Sequence, residues 1–432
     1  MIRDPHIILL RLMNIPVKTI LLCFVLAAIA GCMQQENKLP AARPEKAGMS
    51  SESLSCIKPV MQKYIDENKL PGMITMVARH GRIVHSETYG FMDADKPMQP
   101  DAIFRIASMT KPVTSVAAMI LYEEGYFQLD DPVADYIPEL RNLKVFSSID
   151  KEGIHTVNLV RPMTIRDLLT HTSGLSGVGA DSPVDSMYAA ADLSGGALKE
   201  MVQKLSGIPL LYQPSTTWNY SRSTDVLGYL IEVLSGKPLD LFLKERIFIP
   251  LGMEDTDFYV PEEKFDRVGA VYAPDSAGIK IIMKPDTNTV SVPVKFLSGN
   301  GGLFSTATDY MIFSQMLLDK GIFNGARILG SKTVDLMTTN QISGVKMPDD
   351  EFFGPLMSGM GFGFGFAVLQ DNLQANIIGS IGSYWWSGSG NTYFYIDPHE
   401  DLILILMTQF VPNFYYPVFK QLKVLCYQAI ID

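Results

Sequence analysis

Apolar residues along the chain change their period several times, and each change marks an element. Leu54, Ile57, Met61 and Ile65 recur at helical spacing, with Ser50 or Ser51 placed to cap a helix that runs to about Asn68 and is broken by Pro71-Gly72. Residues 73–79 and 83–89 then predict two strands joined at His80-Gly81-Arg82. Around Pro112 the helical period returns: Val113, Val116, Ala117, Ile120 and Leu121 form a stripe to bury, and Gly125 supplies a C-terminal stop. The stretch from roughly 126 to 340 is mostly helical, with helices at 197–205, 223–235, 239–248 and 307–319 and a short helix framed by Thr164 and Asp167. Short strands are expected there near 268–273 and 279–284. Beyond 360 the patterning becomes strand-like at 363–369, 377–385, 392–396 and 402–409, and 412–431 closes the chain as an amphipathic helix.

Strands at both ends with helices between them imply an α/β fold. One antiparallel sheet is built from N- and C-terminal segments and flanked by helices, with a mainly helical subdomain inserted at roughly 126–340. With 432 residues and 47% hydrophobic content, a large core is available. Net charge is −10 with no basic run, which argues against nucleic acid as a partner.

The first residues read as an export signal. Lys18 precedes an apolar run at 19–30, of signal length and short for a membrane span, and the run ends Ile29-Ala30-Gly31-Cys32. That ending resembles a bacterial lipobox, which implies cleavage before Cys32 and lipidation of Cys32. Residues 1–31 are then a signal peptide, 32–48 a lipidated cysteine and polar tether (Gln34, Gln35, Pro40, Pro44), and 49–432 the folded domain. The expected location is the bacterial cell envelope, anchored to a membrane and facing the periplasm or exterior. The basic residue and apolar run fit a start at Met13 better than at Met1. An ordinary secretory signal with an incidental cysteine is the simpler alternative. Of the four cysteines, Cys23 lies in the signal and Cys32 would carry lipid, so Cys56 and Cys426 remain; they could pair but are no disulfide framework. The six histidines form no zinc-spaced cluster with cysteine, and 361–366 alternates Gly and Phe like a strand and lacks a phosphate-loop lysine. No metal or cofactor is expected.

Chemistry enters at Ser108-Met109-Thr110-Lys111. Three residues apart on a helix means one face, so an amine sits beside a hydroxyl that needs a base to become a nucleophile. Ser-x-x-Lys also occurs at Ser55–Lys58, Ser148–Lys151 and Ser343–Lys346, but on a surface helix face, in a charged stretch and before a Pro348 turn. Ser108 differs because Pro112 must lie in the first turn of its helix, which puts Ser108 at the N-terminus, where the helix dipole favours negative charge. Tyr220, in Trp218-Asn219-Tyr220-Ser221-Arg222 ahead of a helix, can exchange protons with the nucleophile if a nearby lysine lowers its pKa. The small residues in 387–390 leave backbone N–H groups accessible, so those of Ser389 and Ser108 could form an oxyanion hole. His171 invites a Ser-His-Asp triad. Asp130 and Asp131, ahead of Pro132, suit cap and turn positions.

Taken together, these segments resemble the serine β-lactamase-like superfamily of class C β-lactamases, DD-peptidases and family VIII carboxylesterases. Ser108–Lys111 matches Ser-x-x-Lys, Tyr220-Ser221-Arg222 stands at the Tyr-x-Asn place, and Trp386-Ser387-Gly388 at the Lys-Thr-Gly place. Segments 168–175, 301–306 and 388–409 resemble recurring segments of the same superfamily, the first of them making His171 part of a structural turn. The resemblance implies a Ser108 acyl-enzyme activated by Lys111 and Tyr220. It places Trp386, Ser387, Gly388 and Arg222 around a small-molecule ester or amide substrate. Two departures, Arg222 for the amide and Trp386 for the lysine that attracts a β-lactam carboxylate, resemble the esterase branch. A β-lactamase or D-alanyl peptidase, an acyltransferase, and a non-catalytic lipid-anchored binding protein stay open as alternatives.

Overall fold

Six consecutive apolar residues at 402–407, Leu-Ile-Leu-Ile-Leu-Met, call for a strand covered on both faces rather than one. The computed structural model describes residues 38–177, 182–348 and 353–432, and all six residues are fully buried there. They form the strand β8 of an eight-stranded antiparallel sheet. Its other strands are β1 (Gly72–Arg79), β2 (Arg82–Asp93), β3 (Lys96–Pro97), β4 (Met360–Phe362), β5 (Ala367–Leu369), β6 (Tyr384–Gly388) and β7 (Thr392–Asp397). The order across the sheet is β4-β5-β6-β7-β8-β1-β2-β3, so the two chain ends meet at the β8–β1 pair, with Ile74 opposite Met407 and Arg79 opposite Leu402.

Five helices matter for the site: α1 (Ile57–Asp66), α2 (Thr110–Glu123), α3 (Ser223–Ser235), α4 (Ala307–Leu318) and α5 (Val418–Tyr427). Strand alternation assigns them to faces. On β7, Tyr393 stacks on Phe419 of α5 at 4.7 Å, and Tyr395 meets Tyr427 edge-on, whereas Phe394 between them points the other way, onto Tyr310 of α4 at 5.1 Å. The sheet is therefore a middle layer. Each aliphatic side chain it buries contributes roughly 1.5–3 kcal/mol. The first predicted helix is split: Ser50 caps Ser51–Ser55, and α1 follows. The 239–248 segment leaves the α-helical path after Leu243 and continues in π turns over Lys244–Phe248.

Several elements depart from the sequence pattern for identifiable reasons. The 361–366 glycine run is not one strand. Gly363 N–H donates to Phe366 O at 2.8 Å, and Gly365 has φ +93°, so the chain turns between β4 and β5. Strand character at 377–385 begins only at Tyr384, because Gly379 and Gly382 adopt φ +140° and +88° and Asp397 accepts the Ser380 N–H. The final helix is α5 alone. Residues 412–417 are held in an irregular loop where Asn391 accepts the Phe414 N–H. A hairpin at Lys144–Asp150 and Gly153–Asn158 escapes the patterning because a bulge between Phe146 and Ser148 shifts the alternation. Helix α2 is buried on nearly every side from Thr110 to Leu121, not along one stripe. Cys56, exposed, and Cys426, buried, are both free thiols. Cys32 and the signal segment lie outside the described residues, among which no helix is long and apolar enough to cross a membrane.

The β1–β2 pair carries a pH-sensitive contact. His85 Nε2 lies 2.8 Å from Thr75 Oγ1, and burial, opposed by Glu87, holds the imidazole pKa down at about 4 from 6.5. The unfolded chain therefore takes up the proton first, and stability is lost as pH falls from 6.5 to about 4. Chemical denaturation across that range is expected to show His85→Gln losing about 1–2 kcal/mol less than wild type, the ring's partial exposure reducing the full linkage value. Parallel pH curves would contradict this.

Candidate active site

Ser108 sits in a single turn of 3-10 helix, Ala107–Met109, that leads into α2. Ala107 holds φ +45°, a left-handed conformation that costs a non-glycine residue about 1–2 kcal/mol. The surroundings enforce it. Met109 O accepts the Tyr310 hydroxyl from α4 at 2.8 Å. Ile106 O accepts Thr392 Oγ1–H at 3.3 Å, and Gln409 bonds the Arg105 N–H and carbonyl, both at 3.2 Å. Strand β6 lies so close that a Cβ on Gly388 would come within 2.3 Å of Ile106 O. Only glycine lets the strand rest on the Ser108 turn. Ser389 follows at the β6–β7 turn, whose shape Asn391 sets by donating to the carbonyls of Phe410 and Pro412.

The Ser-x-x-Lys spacing brings Lys111 Nζ to 3.1 Å from Ser108 Oγ. The amine is 1% exposed; it donates to Asn300 O at 2.8 Å and sits 4.2 Å from the centre of the Tyr220 ring. Burial pushes its pKa well below the usual lysine value; the Asp225 carboxylate opposes this and the Arg222 guanidinium adds to it. A buried amine in this state can accept a proton. Tyr220 corrects an expectation: burial raises its phenol pKa above 10, and bonds with Ser108 and Trp386 only partly offset that. The group beside Ser108 is a protonated phenol rather than a lysine-stabilised phenolate. Trp386 Nε1–H donates to the Tyr220 hydroxyl at 3.3 Å, and its ring stands 5.4 Å from both Tyr220 and Phe362. Ser387, beside it on β6, accepts Asn413 Nδ2–H at 3.1 Å.

A family profile described as Beta-lactamase matches residues 57–418. The chain belongs to the beta-lactamase family. Two similar relatives are Protein Rv1367c of Mycobacterium tuberculosis, 34% identical over 82% of this chain and 89% of its own, and Esterase EstB of Burkholderia gladioli, 30% identical over 84% and 93%. Among solved structures, "EstCE1, a hydrolase with promiscuous acyltransferase activity" superposes with TM-score 0.72 at 26% identity, covering 87% of this chain and 99% of its own. This beta-lactamase-family protein thus shares a fold used by serine hydrolases and acyltransferases.

The family's two altered positions behave differently in this protein. Trp386 faces Tyr220, as described. Arg222 is committed elsewhere: its guanidinium pairs with Asp225 at 3.1 Å, and its backbone N–H donates to Ser176 O. The Arg222 charge expected around the substrate is thus paired with Asp225, with the side chain about a quarter exposed. His171 caps the helix Ile165–Thr170 at φ +58°; its Nδ1 accepts the Ser221 N–H at 3.2 Å, and its ring lies 4.9 Å from that of Tyr220. Burial keeps this imidazole well below its usual pKa. It supports the Tyr220 loop, and among the described residues no carboxylate is hydrogen-bonded to it; Asp167 is bound to Arg161, and Asp130 to Arg166. Asp131 accepts the Gln128 N–H as a turn residue.

The structure adds partners that no side-chain pattern announced. The loop at 298–303 is stitched to α2 by Thr114 Oγ1–H donating to Gly299 O at 2.8 Å and by Leu303 N–H donating to Thr110 Oγ1 at 3.1 Å. It delivers a backbone carbonyl, that of Asn300, to Lys111. The only nearby sequence signal is the Gly301-Gly302 pair that follows. Among the described residues, no group of three or more His, Cys, Asp or Glu side chains is placed to hold a metal.

Burying an amine costs stability, so its replacement has a distinctive signature. Lys111→Met should reduce labelling of Ser108 by a fluorophosphonate at least about 10³-fold, with a melting temperature equal to or above wild type. Retained labelling would contradict the assignment of Lys111.

Proposed function

We propose that this protein is a serine esterase that cleaves carboxylic esters through an acyl-enzyme on Ser108. The observation that carries the proposal is the buried Lys111 amine 3.1 Å from Ser108 Oγ, beside a third motif that offers an indole where a lysine would otherwise stand. Lys111 takes the Ser108 proton as Oγ attacks the ester carbonyl. Backbone N–H groups of Ser108 and Ser389 hold the developing oxyanion. The proton returns through the Tyr220 hydroxyl to the leaving alkoxide, and Trp386 Nε1–H stabilises the phenol oxygen while its proton is in transit. Water then repeats the sequence in reverse and frees the acid. Trp386 lines the acyl side and, being uncharged, gives a β-lactam carboxylate no counter-ion there; the name of the relative EstB agrees with this preference.

Acyl transfer to an alcohol is the second reading. The enclosure of Tyr220 by Trp218, His171, Phe353 and Trp386 favours it, because it limits water at the acyl-enzyme. The EstCE1 description names the same pair of activities.

A substrate panel separates these readings from β-lactamase or D-alanyl peptidase activity. Short-chain p-nitrophenyl esters should exceed nitrocefin and D-alanyl-D-alanine peptides in kcat/KM by at least about 10²-fold. Added alcohol acceptors should divert only part of the product, and Ser108→Ala should abolish turnover. Comparable nitrocefin turnover would overturn the esterase assignment. The rate should rise with pH through an acid limb lying below the ordinary lysine pKa of 10.5, since only the neutral amine accepts the proton.

The location proposed with this function is the cell envelope, through lipid on Cys32 after removal of residues 1–31. Fractionation of cells expressing the full chain should find wild type with membranes and Cys32→Ser released; an unchanged distribution would refute lipid anchoring.

A further inference from the structure

Asp225 lies in the first turn of α3, wholly buried, three residues after Arg222. Its Oδ2 is 3.1 Å from the Arg222 guanidinium. Its Oδ1 accepts two bonds from one loop, Ser298 Oγ–H at 2.7 Å and Asn300 N–H at 2.9 Å. The same Asn300 presents its carbonyl to Lys111 Nζ at 2.8 Å. One carboxylate therefore grips the loop at two points, Ser298 and Asn300, and the second of these residues accepts the Lys111 amine on its carbonyl. A buried, charge-assisted clamp of this kind is among the stronger hydrogen-bonded arrangements available to a protein.

We propose that Asp225 is a positioning residue for Lys111: it fixes the Ser298–Asn300 loop so that the Asn300 carbonyl holds the amine against Ser108, and its charge, balanced by Arg222, sets how tightly the amine keeps its proton. This rests on Lys111 as the base of the proposed reaction. It also accounts for the substitution at the Tyr-x-Asn place, since the Arg222 side chain balances the clamp instead of offering an amide. The groups facing Lys111 are few. From α3 and the residue before it come Asp225, which favours the ammonium, and Arg222, which disfavours it. From the Tyr220 loop comes a protonated phenol, and from the turn after Thr170 a buried imidazole whose own pKa the Lys111 charge pushes down. Only the first two carry opposing fixed charges, so altering each should move the amine in opposite directions.

The test is the pH dependence of Ser108 labelling by a fluorophosphonate in the full chain, which needs no knowledge of the substrate. Asp225→Asn keeps an oxygen for Ser298 and Asn300 but loses the charge; the acid limb should move about one unit to lower pH. Arg222→Gln removes the opposing cation, and the limb should move to higher pH. Asp225→Ala should lower the plateau rate at least about tenfold because the carbonyl is released. Limbs that stay at the wild-type position in both charge variants would overturn the proposal, as a merely structural role changes yield or stability without displacing the limb. If a charge variant does not fold, Ser298→Ala, which removes one clamp bond and keeps both charges, decides the positional claim: a lower plateau with an unmoved limb supports it, and a wild-type plateau overturns it. A wild type that never labels would refute the acyl-enzyme reading instead. The same opposite shifts are then read from the pH dependence of the stability lost or gained on adding Lys111→Met to each protein, and their absence overturns the role of Asp225 independently.

Discussion

Everything at the centre of this protein follows from keeping one amine dry. Lys111 is 1% exposed, and water would return its pKa to the ordinary lysine range and remove the basis for the role proposed for it. Dryness is supplied by helix α2, buried on almost every side, by the Tyr220 ring across the amine, and by the 298–303 loop bonded to Thr110 and Thr114. A buried amine without partners would be too costly to keep. The Asn300 carbonyl and the Ser108 hydroxyl supply those partners at 2.8 and 3.1 Å.

The same constraint shapes the backbone. For the hydroxyl to face the amine, Ala107 accepts a left-handed conformation, and the sheet must hold that turn in place. The grip comes from β6, where Gly388 touches Ile106 O, and from Gln409, beyond the end of β8. The strand that bears Trp386 thus also braces the Ser108 turn. The third motif contributes position through its glycine and a hydrogen bond to the Tyr220 hydroxyl through its indole. Function and fold share one contact, at the junction of the sheet and α2.

Much of this was legible in the sequence, and the reasons for success and failure are physical. The closeness of Ser108 and Lys111 could be anticipated because helical spacing is local and Pro112 fixes where the helix starts. The sheet's strands at 73–79, 83–89, 392–396 and 402–409 were found because their side chains carry the pattern. The 361–366 run failed because alternating Gly and Phe imitates a strand while the glycines permit a turn. The hairpin at Lys144–Asp150 and Gly153–Asn158 failed because one bulge shifts its period. For Tyr220 the sequence made proton exchange conditional on a nearby lysine lowering its pKa; the Lys111 amine does lie 4.2 Å from the ring, but burial of the phenol dominates and raises it. Asn300 was invisible because a backbone carbonyl has no residue signature, and Asp225 because its partners lie 73 and 75 residues away.

The central claim is that Ser108, with Lys111 as its base, carries the acyl group. Acid quenching of the full-length protein during turnover of a p-nitrophenyl ester, followed by peptide mass spectrometry, tests it most directly. An acyl adduct on Ser108 should form in wild type and be absent in Lys111→Met. Turnover without such an adduct, or an adduct on any other residue, would contradict it.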